Sequence, residues 1–227
     1  MSLASPIVSP VPLTEPPRDC PLCPRLVAFR QACRAEHPDW WNAPVMAFGD
    51  PAARIVIVGL APGKHGANRT GRPFTGDYAG ELLFATLGKF GLSRGAYAAR
   101  ADDGLALVDC AILNAVKCLP PQNKPLPGEV QTCGRYLAAG LAALPNARIV
   151  IALGQIAHQS AVRALGGQLS KARFAHLAEH PMPGGRTLLD SYHCSRYNTN
   201  TGRLTVAMFE AVFARAVALR DGMRPRS

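Results

Sequence analysis

The segment RIVIVGLAPGKHGANRTGRPFTGD, residues 54–77, decides the fold class. Its first seven residues form a short, mostly apolar run of the length expected for a buried strand. The following loop, residues 59–77, contains five glycines and ends at Asp77, its only carboxylate. Residues 77–90 then place Leu82, Leu83, Leu87 and Phe90 at helical spacing. A buried strand, a glycine-rich loop and a helix in this order predict a strand–helix unit.

Three further apolar runs repeat this arrangement and extend the prediction to the whole chain. They cover residues 107–116, 148–153 and 187–192, and helical patterns cover residues 129–144, 155–165 and 205–219. Strands that alternate with helices favour a mostly parallel sheet covered on both faces. We therefore predict an α/β fold, a three-layer α/β/α sandwich with a central four-stranded, mostly parallel sheet.

Length and composition bound the domain organisation and the type of partner. The chain has 227 residues, enough for one compact domain, which we place at residues 20–227. Residues 1–19 are rich in proline and lack a basic start and a long apolar segment, which indicates a flexible tail and not a signal peptide. We therefore expect a soluble, cytoplasmic protein. The formal net charge of +10 favours an anionic partner such as nucleic acid.

Four cysteines form one split set with the spacing of a metal centre. Cys20 and Cys23 make a C-x-x-C pair, and Cys118 and Cys133 are separated by fourteen residues. One close pair and two distant single cysteines fit a [4Fe–4S] cluster held by four thiolates. Zinc remains the alternative, although zinc ribbons usually supply two close pairs.

The remaining three cysteines carry no such pattern. Cys33 and Cys110 fall inside a predicted helix and a predicted strand, where cysteine behaves as a small apolar residue. Cys194 directly follows His193, but neighbouring side chains on an extended segment point to opposite sides. We therefore do not expect a cysteine–histidine nucleophile pair.

Three polar loops follow the predicted strands, at the edge where parallel α/β sheets bind ligands. They span residues 61–77, 117–127 and 193–202. The first contains Phe74 between Pro73 and Thr75, which suits a stacking face. The second contains Asn123 and follows Asn114, and asparagine amides are able to contact both a carbonyl and an N–H group. His193 opens the third, followed by hydroxyl, amide and arginine side chains able to bind phosphate.

The motifs GLAPGKHGANRTGRPFTGD, residues 59–77, and HCSRYNTNTG, residues 193–202, together with the cysteine spacing, resemble the uracil-DNA glycosylase superfamily. The resemblance is to its iron–sulfur branches, specifically family 5, and covers the chain from about Cys20 onward. It implies that a deaminated base is flipped out of DNA and its N-glycosidic bond is hydrolysed, which leaves an abasic site.

The resemblance also implies roles for individual residues. Asp77 would stabilise the sugar cation and orient water, His193 would donate to the O2 of uracil, and Asn123 would assist at the water or the base. The substrate pocket would be formed by Gly59, Ala61, Gly63, Phe74 and Asn114. DNA would be contacted by Lys64, Asn68, Arg69, Arg72, Lys124, Ser195, Arg196, Asn198 and Arg203.

Two departures leave alternatives open within this family. The stretch LAPGK after the first strand has no catalytic carboxylate or asparagine, which agrees with family 5 and shifts the catalytic role to Asp77. Asn114 stands where family 4 enzymes carry a uracil-reading asparagine, and family 5 members often have a small apolar residue there. Uracil is therefore the expected base, with hypoxanthine and xanthine as further substrates if the family 5 range holds.

Other interpretations of the same residues compete with this one. Asp77 opens a predicted helix and could serve as its N-cap. A family 4-like, uracil-restricted glycosylase is the alternative within the enzyme class. A non-catalytic iron–sulfur protein that binds nucleic acid, or an electron carrier, would explain the charge and cysteines alone. We expect a monomer without a membrane partner.

Overall fold

A computed structural model describes residues 15–222 of the chain. The first fourteen residues of the predicted tail lie outside the described residues. The remaining five, residues 15–19, contact the rest of the protein. Glu15 makes an ion pair of 2.9 Å with the fully buried Lys117, and Asp19 pairs with Arg34.

Within residues 15–222, eight strands form two sheets. In chain order they are β1 Phe48–Gly49, β2 Ile55–Gly59, β3 Ser93–Arg94, β4 Ala106–Leu107, β5 Cys110–Asn114, β6 Ile149–Leu153, β7 Glu179–Met182 and β8 Arg186–Ser191. The larger sheet has the order β1-β5-β2-β6-β8-β7, and β3 and β4 form a separate hairpin. The four central strands are parallel, as predicted, and the two edge strands run antiparallel to them.

Seven α-helices accompany the strands in this described part of the chain. They are α1 Pro24–Glu36, α2 Ala67–Thr70, α3 Tyr78–Lys89, α4 Pro127–Ala142, α5 Gln155–Ala164, α6 Arg196–Asn200 and α7 Val206–Gly222. Helices α3 and α7 cover one face of the large sheet, and α4 and α5 cover the other. Alternate residues of β2 enter the two apolar cores, Ile55 and Ile57 on one side and Val56 and Val58 on the other. The three-layer α/β/α architecture is therefore confirmed.

The structure corrects the bounds of one strand and adds four short ones. The predicted strand at residues 107–116 is interrupted at Asp109, whose φ of 54° lies in the left-handed region. The Asp109 carboxylate accepts from the backbone N–H and guanidinium of Arg54, which fixes this break. Strands β1, β3, β4 and β7 were not predicted, because they are two to four residues long and too short to show a pattern in the sequence.

The strand order explains where a ligand can bind. The chain passes from β2 to β5 on one side and then crosses to β6 on the other, so the strand order reverses beside β2. In open α/β sheets a crevice forms at such a point, outside the carboxyl ends of the strands. Among residues 15–222, no helix combines the length and the apolar character needed to cross a membrane.

Candidate active site

A cavity of about 590 Å³ opens at the carboxyl edge of the sheet, beside the end of β2. The structure brings nine of the predicted site residues to its wall, mainly from the three loops. They are Ala61, Gly63, Phe74, Asp77, Asn114, Asn123, His193, Ser195 and Arg196. Residues far apart in sequence therefore meet in one space, as the position of their loops at the strand ends predicts.

Asp77 lies at the N-terminus of α3 and serves as its N-cap. Its Oδ1 accepts a hydrogen bond of 3.0 Å from the N–H of Gly80. The other carboxylate oxygen, Oδ2, lies on the side of Gly66, where an added Cβ would come within 2.4 Å of it. A side chain at position 66 would therefore displace the carboxylate. Burial raises the pKa of Asp77 above its usual value, although backbone hydrogen bonds from Gly80 and Ala79 oppose this.

His193 follows β8 and faces Phe74 across the cavity wall. The two rings lie 6.1 Å apart between centroids and are inclined by 27°. Burial lowers the pKa of His193 to about 4, so the imidazole is neutral near neutral pH. A neutral imidazole has one N–H donor and one acceptor nitrogen. His193 can therefore donate a hydrogen bond to an oxygen in the cavity without transferring a proton.

Phe74 is held in an unusual backbone conformation beneath the cavity. Its φ of 53° lies in the left-handed region, which is costly for a bulky residue. Its ring packs on Gly59 at the end of β2, where an added Cβ would come within 2.7 Å of the ring and 2.6 Å of Asn114 Oδ1. Gly59 itself does not line the cavity. Because it has no side chain, it leaves room for the Phe74 ring and for Asn114 Oδ1.

Two asparagines reach the cavity from different depths. Asn114, the last residue of β5, is 2% exposed, and its buried Oδ1 has no hydrogen-bond partner among the described residues. An unsatisfied buried acceptor of this kind costs about 1–3 kcal/mol. Asn123 is exposed at the rim and adopts a left-handed φ of 57°. Asn114 thus offers a polar group ready for a ligand, and Asn123 stands at the entrance.

The residues predicted to contact DNA divide into two groups. In the first, Arg69, Lys124, Arg196 and Arg203 are exposed around the carboxyl edge of the sheet. Arg196 lies over the Tyr78 ring at 5.2 Å, and Arg203 lies over the Tyr192 ring at 4.7 Å. Lys64 pairs with Glu36 at 2.8 Å. Ser195 caps α6, and Asn198 donates to the His193 carbonyl, so both shape the third loop.

The second group does not fit the prediction of a DNA contact. Arg72 is 4% exposed and makes two hydrogen bonds of 2.7 Å to Asp103, which lowers the pKa of that carboxyl far below its usual range. Asn68 is 2% exposed and donates to the side-chain oxygen of Asn42. Both residues are held by interior partners outside the glycine-rich loop, so neither side chain lies at the surface, and a DNA contact by either stays a prediction.

The four predicted metal ligands line a second, largely apolar cavity between α1, α4 and the loop after β5. Polar groups reach three of their sulfur atoms, and one of these groups is the Tyr136 hydroxyl, 3.9 Å from Cys20 Sγ. The Lys117 N–H donates to Cys133 Sγ at 3.3 Å, and Arg30 donates to Cys118 Sγ at 3.6 Å. Burial raises the pKa of Cys118 to about 11 and that of Cys133 to about 12. Arg30 and the Lys117 N–H oppose this rise, so both favour the thiolate forms that can bind a metal.

Six cavity residues were missed by the sequence reasoning, and two of them, His65 and Tyr78, carry polar side chains. His65 and Tyr78 also line the site, His65 from the glycine-rich loop and Tyr78 from the first residue of α3. The signal was present, since both lie within or next to the motif at residues 59–77. Their side-chain directions depend on the short helix α2 and on the cap at Asp77, which the sequence pattern did not predict.

Comparison with known proteins gives a consistent result. The family model of the uracil DNA glycosylase superfamily matches residues 46–216. The chain is similar to a type-5 uracil-DNA glycosylase of Thermus thermophilus, 48% identical over 207 residues, covering 88% of this chain and 93% of that protein. A type-5 enzyme of Pyrobaculum aerophilum is 42% identical, with 88% of each chain covered. A type-4 uracil-DNA glycosylase of Thermotoga maritima is 33% identical, covering 66% of this chain and 69% of that protein.

Proposed function

The chain belongs to the uracil-DNA glycosylase superfamily, and from this premise we propose that it removes uracil from DNA by hydrolysing the N-glycosidic bond. One observation carries the proposal. Asp77, His193, Phe74 and Asn114 face one cavity large enough for a flipped nucleotide. Enzymes that act on a base inside a duplex extrude it into such a pocket.

The reaction separates charge, and the site has a group for each developing charge. The bond between the sugar C1′ and the base nitrogen breaks, and its electron pair leaves with the base. Asp77 supplies negative charge beside the cationic sugar and orients the water whose oxygen bonds to C1′, and the proton that this water loses neutralises the departing uracil anion. Neutral His193 donates a hydrogen bond to the base oxygen that gains negative charge. Preorganised groups of this kind contribute about 2.7–4 kcal/mol each in comparable sites.

Base recognition follows from the groups at the inner end of the cavity. Phe74 offers a ring face for stacking, and Asn114 offers an unsatisfied amide oxygen that can accept from the N3–H of uracil. Cytosine has no hydrogen at N3, so it would leave Asn114 unpaired. We propose uracil as the preferred base. Hypoxanthine and xanthine, which also carry an N–H beside a carbonyl, are proposed as weaker substrates because a purine is larger.

We further propose that Cys20, Cys23, Cys118 and Cys133 hold a [4Fe–4S] cluster, which fastens α1 to α4 and to the loop after β5. Tetrahedral zinc, at about 2.3 Å from each sulfur, would draw the sulfurs to about 3.8 Å from one another. Among the described residues no three of these sulfurs lie mutually within 4.8 Å, which favours the larger cluster. The cluster supplies a cross-link between distant segments and takes no part in hydrolysis.

The location of the site residues also bears on the oligomeric state in which the protein is active. All cavity residues come from one chain, so we propose that a monomer is sufficient for activity. A location in the cytoplasm stays a prediction of the sequence.

Base release from a duplex with one uracil opposite guanine tests the function. We expect free uracil and a strand that breaks only after alkali, which together establish hydrolysis without lyase activity. Parallel duplexes with hypoxanthine and xanthine define the base range. Tight binding to all duplexes without release of any base would contradict the proposal and support a non-catalytic DNA-binding protein.

Iron and sulfide analysis of anaerobically purified protein tests the cluster separately. We expect about four iron atoms per chain by the stoichiometry of the cluster. Cys118→Ala should lose most of this iron, whereas Cys110→Ala, which changes a cysteine buried in the main core, should keep it. Stoichiometric zinc in place of iron would reject the cluster and leave the glycosylase proposal intact.

A further inference from the structure

Arg30 is a buried cation whose partners are unusual. It lies on the inner face of α1 and is 6% exposed. Its Nη2 donates to the carbonyl of Cys20 at 3.1 Å, and its Nη1 donates to Cys118 Sγ at 3.6 Å. Its Nε is buried and has no hydrogen-bond partner among the described residues. The guanidinium therefore faces the cavity lined by the four cysteines.

A guanidinium remains charged in proteins, so burial requires a compensating negative charge. The neighbouring cations each have a carboxylate partner. Lys117, which is also buried, pairs with Glu15, and Arg25 pairs with Glu129 at 2.7 Å. Arg34, one turn along α1 from Arg30, pairs with Asp19. Among residues 15–222, Arg30 makes no ion pair with a carboxylate. Its charge contributes to the lowered pKa of Asp19, but that carboxylate is exposed and pairs with Arg34, and the group that Arg30 faces is a set of thiols.

We infer that Arg30 is the counter-charge of the proposed metal cluster. Four thiolates outweigh the positive charge of a [4Fe–4S] core, so the bound cluster is an anion in an apolar cavity. Arg30 supplies a charge-assisted hydrogen bond to one ligand sulfur and fixes the backbone of another ligand. Hydrogen bonds to the sulfurs and nearby charge set both the retention and the potential of such clusters. This inference rests on the proposed cluster.

Three variants test the inference. Arg30→Gln removes the charge but keeps a hydrogen-bond donor, Arg30→Lys keeps the charge, and Arg34→Gln removes a charge from the same helix without facing the cysteines. We measure iron and sulfide content, loss of the visible absorbance of the cluster in air, and the midpoint potential. Uracil release by the wild-type protein is measured in parallel, so failure of the glycosylase proposal is seen separately.

For Arg30→Gln we expect cluster loss about tenfold faster, the scale of losses when an outer-shell partner of a metal site is changed. We also expect the midpoint potential to fall by about 59 mV, which corresponds to a tenfold change for a one-electron couple. Reduction adds negative charge, so losing a nearby cation opposes it. Arg30→Lys should keep the wild-type potential, and Arg34→Gln should behave as wild type in both measurements.

Several results would overturn the inference. They are an Arg30→Gln variant with wild-type retention and potential, equal effects of Arg30→Gln and Arg34→Gln, or a wild-type protein without iron. A purely structural role would weaken retention but leave the potential unchanged, and this result would also contradict the inference. If Arg30→Gln does not fold, Arg30→Lys carries the test, because a potential shifted from wild type would contradict a role that depends on charge.

Discussion

Asp77 joins two roles that one substitution can separate. It caps α3 and also places a carboxylate in the cavity that we propose as the reaction site, where burial raises its pKa. Asparagine caps helices about as well as aspartate, so Asp77→Asn should keep the cap and remove the buried charge. We expect a single-turnover rate about 10²–10³-fold lower, with a melting temperature equal to or above that of the wild type.

Asp77→Ala is the matched comparison for this prediction. It should lose the same activity and, in addition, about 0.5–2 kcal/mol of stability from the missing cap. Rates of uracil release under single-turnover conditions and thermal melts separate the two roles. If Asp77→Asn cleaves at the wild-type rate, the residue is a cap only.

Asn114 is the residue with which the base range can be tested. Its unpaired Oδ1 is buried, and the residue lines the cavity where we propose that the edge of uracil lies. A purine is larger, so we expect its N–H to contact Asn114 less closely. Asn114→Ala should therefore reduce release of uracil more than release of hypoxanthine, by about 1–3 kcal/mol in the uracil barrier. Rates on the two duplexes check this, and equal losses would show that Asn114 does not select the base.

At the scale of elements, a buried ionic network ties α5 to the sheet. His158 on α5 contacts Asp190 on β8 through Nδ1 at 2.7 Å and the Ala172 carbonyl through Nε2 at 2.9 Å. His180 on β7 reaches the other oxygen of Asp190 at 2.9 Å. Both ring nitrogens of His158 face acceptors, so the ring fits as a doubly protonated cation. This network lies directly before the segment that carries His193.

The network predicts a dependence of stability on pH. Burial lowers the pKa of His158, but the hydrogen bond and charge of Asp190 and the Ala172 carbonyl outweigh it, so the pKa is raised above 6.5. A raised pKa contributes stability that is complete below about pH 6.5 and is lost as the pH rises through the folded-state value. His158→Gln should therefore cost about 1.5–3 kcal/mol at pH 5.5 and less at higher pH.

Thermal melts at a series of pH values between about 5.5 and 8.5, on either side of the ordinary histidine pKa, measure this effect against His37→Gln. His37 is a suitable control because its ring lies at the end of α1, where it stacks on Trp40 and pairs with the exposed carboxylate of Glu36 at 3.2 Å, and an exposed ion pair of this kind contributes little. A destabilisation by His158→Gln that does not change across the pH series would argue against a charged His158.

Elements differ in how well the sequence predicts them. The central strands were predictable because each is a continuous apolar run, as a strand buried on both faces must be. The strand break at Asp109 was not, since it depends on the side chain of Arg54, which lies directly before a different strand. The hairpin of β3 and β4 and the edge strands are too short to show alternation, and only their partners in the sheet define them.

At the scale of the whole molecule, the site was predictable in outline because parallel strands end at one edge. The position of each loop after a strand was enough to place Phe74, Asp77 and His193 together. The positions of the charged side chains were harder to predict from the sequence. Arg72 belongs to the same basic motif as Arg69, but its partner Asp103 lies 31 residues away and removes it from the surface. The residue type shows that Arg72 carries a positive charge. Only the fold shows that this charge lies in the interior and not at the surface.

The exposed cations around the cavity should account for the salt dependence of DNA binding. Removal of one cation that neutralises a phosphate should reduce the slope of log K against log salt by about 0.9. We therefore expect Arg196→Ala and Arg203→Ala each to reduce the slope by about that amount. Arg148→Ala is the matched control, because Arg148 is an exposed arginine directly before β6, at the opposite edge of the sheet.

Arg72→Ala is compared with these exposed arginines, because only the structure shows that Arg72 is buried. If Arg72 is an interior brace of the glycine-rich loop, its loss should lower the melting temperature and leave the salt slope unchanged. Binding to a uracil-containing duplex over a range of salt concentrations, with an inactive Asp77→Asn background to prevent cleavage, gives these slopes. A reduced slope for Arg72→Ala, or for Arg148→Ala, would mean that DNA covers a different surface from the one around the cavity.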